Sequence, residues 1–91
     1  MKEFRKKIEQ IMPNIKYQEE WQGEMCFNID FISRIIIWME PMGIEITEEE
    51  MNSYARMPID IMVEKRPELC RRVLTVLQNN EIKEMLLKSR F

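Results

Sequence analysis

Side chains able to do nucleophilic or soft-metal chemistry are few in this sequence, and its abundant carboxylates stand in no catalytic grouping. Histidine is absent, which removes the usual general base near neutral pH. The two cysteines, Cys26 and Cys70, lie far apart and form no C-x-x-C pair. Without histidine they cannot complete an ordinary zinc site. They are expected to be free, largely buried thiols of a reducing compartment. Ser33, Ser53 and Ser89 stand in no triad context, and no glycine-rich phosphate loop is present. Glu48, Glu49 and Glu50 follow Thr47 in the spacing of a capping box, which accounts for them as helix-start residues. The sequence therefore assigns no catalytic residue, no metal ligand and no cofactor, and the expected protein is not an enzyme.

Two sets of residues are candidates for binding instead. Phe27, Phe31 and Trp38, with Arg34 beside them, make an aromatic stripe on a helix that is already apolar on another face. Such a stripe is either core or a contact surface for another protein, where Trp, Phe, Met and Arg are enriched. The second set is Arg66, Arg71 and Arg72, followed by Lys83, Lys88 and Arg90. These basic groups suit an anionic ligand, a nucleotide or nucleic acid. Against nucleic acid stand the pI of about 5.3 and an acidic centre.

Charge is segmented along the chain. Residues 1–16 carry five basic and two acidic groups, residues 17–55 nine acidic groups against Arg34 alone, and residues 56–91 eight basic and five acidic. An acidic centre between basic ends implies attraction within one chain or between chains packed head to tail.

The elements that must position these residues are mainly helical. Phe4, Ile8, Ile11 and Met12 define an amphipathic helix over 2–12, ended by Pro13-Asn14. A central helix near 30–42 stops at Pro41-Met42-Gly43, with Gly43 supplying a positive φ and Ile44 the accompanying apolar contact. Thr47 then caps a helix over 48–56 that buries Met51, Tyr54 and Ala55. Pro58 opens a short helix ending near Lys65, and Pro67 sits at the first position of a helix over 67–78. In that helix Leu69, Cys70, Val73, Val76 and Leu77 face inward. Asn79 or Asn80 caps a last helix, 81–89, burying Ile82, Met85 and Leu86.

Residues 15–29 carry two periods. With a period of 3.6, Trp21, Met25, Ile29, Ile32, Ile36 and Met39 form one stripe of a continuous helix. With a period of two, Ile15-Lys16-Tyr17 and Met25 to Phe31 alternate, and Gln22-Gly23 makes a hairpin turn. The longer stripe favours helix, with a small hairpin in 15–31 as the alternative.

The stretch Asp30 to Glu50, ending Gly43-Ile44-Glu45-Ile46-Thr47-Glu48-Glu49-Glu50, resembles the second helix and following loop of acyl carrier proteins. Tyr54 to Val63 is similar in placement to the last helices of that family. The family's Asp-Ser-Leu motif, whose serine carries phosphopantetheine, is missing: Asn28 holds that position, and Ser33 lies too close to Ile46. The resemblance thus implies no prosthetic group.

The expected protein is one all-α domain of five or six short helices. It is a non-enzymatic interaction module, acting as adaptor or inhibitor and self-associating. The competing reading is an anion or nucleic-acid binder. With no signal-like N-terminus and no apolar run of about 20 residues, a cytoplasmic location in its own or a host cell is expected. Size and an Ile-, Lys- and Glu-rich composition suit a regulator encoded by a phage or mobile element.

Overall fold

The computed structural model describes residues 2–88. In chain order the elements are α1 (Lys2–Ile11), β1 (Gln18–Trp21), β2 (Glu24–Phe27), α2 (Ile29–Met39), α3 (Glu48–Arg56), α4 (Ile59–Lys65), α5 (Pro67–Leu77) and α6 (Asn80–Lys88). The fold is therefore six short helices with one small hairpin. Ser89 and Arg90 lie outside the described residues.

The hairpin replaces the helix favoured for 15–29. β1 and β2 pair antiparallel, with Gln18 opposite Phe27 and Trp21 opposite Glu24. Gln22 (φ 51°) and Gly23 (φ 80°) form the connection, and two positive φ values give the turn a twist that matches its strands. A continuous helix would have put Trp21, Met25 and Ile29 on a buried stripe. They are instead 44%, 40% and 49% exposed. The hairpin buries Tyr17, Cys26 and Phe27 in their place, so tertiary burial outweighs the local 3.6 period.

Asn28 then restarts the chain as a helix. Its side-chain oxygen accepts from the Phe31 N–H at 3.0 Å, and its amide nitrogen donates to Glu19 at 3.3 Å. The backbone N–H of Asn28 reaches the Tyr17 carbonyl at 2.9 Å. Cap and strand pairing thus meet at one buried polar residue, whose side-chain groups all find partners, as burial demands.

α2 buries Phe31, Ile32, Ile35 and Met39 and packs on α3 and α5. α5 in turn touches α1, α4 and α6, so the core is organised around the α2–α5 pair. The inner face expected for α5 is buried in full: Leu69, Cys70, Val73, Val76 and Leu77. Burial of each large aliphatic side chain contributes about 1.5–3 kcal/mol.

The helix stops are those the sequence expects. The Gly43 N–H bonds to the Glu40 carbonyl at 3.0 Å and the Ile44 N–H to the Met39 carbonyl at 2.9 Å, with Gly43 at φ 76°. This is the paired closure of a Schellman motif, with Ile44 packed against the core. The Thr47–Glu50 capping box is complete, and Asn79 caps α6 through Glu81 and Ile82. Two inward assignments differ. Met51 and Met85 are exposed, because Tyr54 fills the inner face of α3, and Ile82 with Leu86 fills that of α6.

Candidate protein-docking face

The aromatic stripe separates into two parts. Phe27 and Phe31 are 1% and 0% exposed and belong to the core. Phe27 lies on β2, not on the helix, and the turn at Asn28 stacks its ring on that of Phe31 with centroids 6.1 Å apart and planes tilted by 24°. It also meets Phe4 of α1 edge-on at 6.1 Å and Tyr54 of α3 at 6.4 Å. Phe27 is the contact point of three helices and belongs to the core. Trp38 is half-buried against the core, and Arg34 is exposed on the outer face of α2. Ile37 shares that outer face.

The basic set is divided as well. Arg66 bonds Glu68 at 2.7 Å and Glu49 at 2.9 Å, and lies 3.8 Å from Glu50. Arg72 bonds Glu50 at 2.8 Å. The attraction between acidic centre and basic end is therefore satisfied within one chain. The backbone N–H of Thr47, followed by the Arg72 guanidinium, holds the Glu50 carboxyl below its usual range. Bonds to Glu68 and Glu49 stabilise the charged form of Arg66. An anion at Arg66 or Arg72 must compete with these carboxylates. Arg71 is exposed and lines a separate hollow with Lys7 and Leu74.

The face that sequence reasoning missed lies where the hairpin meets α3 and α4. β2 packs against both helices. Because strand side chains alternate, Glu19, Trp21, Glu24 and Cys26 share one face of the hairpin. That face and α3 enclose a hollow of about 350 Å³, walled by Trp21, Ile29, Ala55 and Arg56, with Cys26 and Phe27 at its base. Arg56 also borders an open hollow of about 730 Å³, where Met57, Pro58 and Ile61 meet Glu48 and Glu49. The two hollows adjoin at Arg56, and together they are the candidate groove. The signal for it was present in Gln22-Gly23: reading that pair as the turn places Trp21 at the hairpin tip instead of on a helix stripe.

Electrostatically the groove is mostly negative. Glu19 is held in place, accepting from the Ile29 N–H at 3.2 Å and from Asn28. Burial, then the charges of Glu24 and Glu19, push the Cys26 thiol up, so it is a poor nucleophile. Its S–H points to the Arg56 carbonyl at 3.6 Å. Cys70 is likewise buried and is pushed up to about 11 by desolvation first. Both thiols are free.

Among the described residues no cluster of three or more His, Cys, Asp or Glu is placed to hold a metal ion. No described helix is long and apolar enough to cross a membrane. Asn28, at the position of the carrier-protein serine, is buried as the cap of α2. Comparison of the chain with protein families, curated proteins and solved structures finds no match.

Proposed function

We propose that the chain is a small, non-enzymatic protein-binding module, acting as an adaptor or inhibitor, and that it docks its partner in the groove between the hairpin, α3 and α4. The observation that carries this reading is the run of exposed apolar side chains Trp21, Ile29 and Ile61 along two adjoining hollows that share Arg56. Exposed apolar side chains set beside a polar rim are the usual form of a contact site. An aromatic at its end is the residue type that most often dominates binding energy.

The test uses photoreactive residues placed at Ile61 and, on the opposite choice of face, at Ile37. Crosslinking at Ile61 and not at Ile37 is the expected result, followed by reconstitution with the purified partner. Ile61→Glu abolishes that binding and Ile37→Glu leaves it intact. If the purified partner binds the Ile61→Glu protein as tightly as the parent, the groove is not the docking face.

A second reading concerns self-association. Ile37 is 67% exposed, beside Arg34 and the half-buried Trp38 on α2. This face suits pairing of two copies. Light scattering of the parent and the Ile37→Glu protein tests it: a dimer that persists in the variant removes the reading.

A further inference from the structure

Resting on the docking reading above, we infer that the groove takes a lysine- or arginine-bearing amphipathic segment of a partner protein. Three features of the groove select this occupant. Its walls are apolar, which calls for an apolar stripe on the segment. Its carboxylates outnumber its cations: Glu19 lines one hollow and Glu48 the other, Glu24 stands across the hairpin from Trp21, and Arg56 borders both hollows, while Glu49 is already paired with Arg66. Its exposed aromatic, Trp21, has Glu24 directly across the hairpin and Glu19 two residues before it on the same face. A long basic side chain laid over the indole places its stem against Ile29 and Ala55. Its cation then lies against the ring face, near both carboxylates. An acidic or phosphate-bearing segment meets like charge at each of these points.

Apart from charge, the hairpin geometry supports the assignment. Glu19 cannot swing away, because Asn28 and the Ile29 N–H hold its two oxygens. The negative charge at this end of the groove is therefore fixed in position before a partner arrives, and little ordering is needed on binding. Complementary charge of this kind sets register and encounter rate.

The experiment measures fluorescence anisotropy of two dye-labelled helical peptides of about four turns, one with lysines on its polar face and one with glutamates in their place. The lysine peptide is expected to bind at least about tenfold more tightly, and its binding weakens as salt is raised. Glu24→Gln and Glu48→Gln each loosen it severalfold without altering the circular dichroism spectrum, and Ile61→Glu abolishes it. Equal binding of the two peptides, no binding of the lysine peptide, or indifference to Glu24→Gln overturns the inference. Loss of both peptides in Ile61→Glu with equal affinity in the parent leaves the groove as docking face and removes only its charge selectivity. Binding unaffected by Ile61→Glu removes the docking face itself. A homodimer dissolved by Ile61→Glu makes a second copy the occupant instead.

Discussion

Asn28 donates from its side-chain amide to Glu19 at 3.3 Å while its oxygen caps α2, so one residue ties the start of that helix to the first strand of the hairpin. The Asn28→Ala protein loses both bonds and leaves the Phe31 N–H buried without its acceptor. Loss of the cap and of a buried partner together cost about 2–3 kcal/mol. Urea unfolding should show the free energy of unfolding falling by that amount. Asn28→Asp keeps the cap acceptor but sets a carboxylate against Glu19, and it too is expected to be less stable than the parent at neutral pH.

Tyr54 is fully buried and donates its hydroxyl to the Leu69 carbonyl at 2.7 Å. Burial holds this phenol well above its ordinary range, so it stays protonated and remains a donor. Tyr54→Phe retains the ring against Phe27 and removes only the bond. A loss of about 1 kcal/mol is expected from equilibrium unfolding. A change below a few tenths would mean that the carbonyl is adequately satisfied without the hydroxyl.

The hairpin turn offers a change in each direction. Gln22 adopts a positive φ that asparagine tolerates better, so Gln22→Asn raises stability by about 0.5 kcal/mol. Nothing lies within 4 Å of a Cβ added at Gly23, but its φ of 80° disfavours any L side chain. Gly23→Ala is therefore expected to cost about 1 kcal/mol through backbone strain alone. Thermal unfolding of the two variants should bracket the parent.

Acid should weaken the α3–α5 contact. The folded-state pKa of Glu50 is lowered by the Thr47 N–H first and by Arg72 second, and that of Glu68 is lowered first by Arg66. A lowered folded pKa means the stabilisation is complete above the ordinary carboxylate value of about 4.3 and is lost as pH falls through the lower folded value. Urea midpoints measured from neutral to acid pH should decline through that window. Arg72→Met reduces the decline without abolishing it, because the Thr47 bond remains. A slope unchanged by Arg72→Met would show that the pair contributes nothing in solution.

Much of the fold can be read from residue pattern alone, and the reason is local chemistry. Thr47 with Glu50, Pro67, Gly43 and Asn79 each satisfy or remove a backbone group at a helix end, so their neighbours' conformation follows from adjacent residues. The hairpin was ambiguous because Trp21, Met25 and Ile29 fit a helical stripe equally well. The burial of Tyr17 and Phe27 that decides against it depends on helices distant in sequence. The candidate groove shares that dependence: Trp21 and Ile61 are far apart in the chain and meet one surface only once β2 packs on α3 and α4. Arg66 and Arg72 were legible as basic residues, but the pairing of Arg66 with Glu49 and of Arg72 with Glu50 is set by the packing of α3 beside the start of α5.

The hairpin is anchored at its base by Phe27 and presents Trp21 at its tip. Within so short an element, the buried residue that ties it to the core and the exposed indole occupy opposite ends. Under the docking reading proposed above, a change at Trp21 or Glu24 alters recognition while the domain goes on folding.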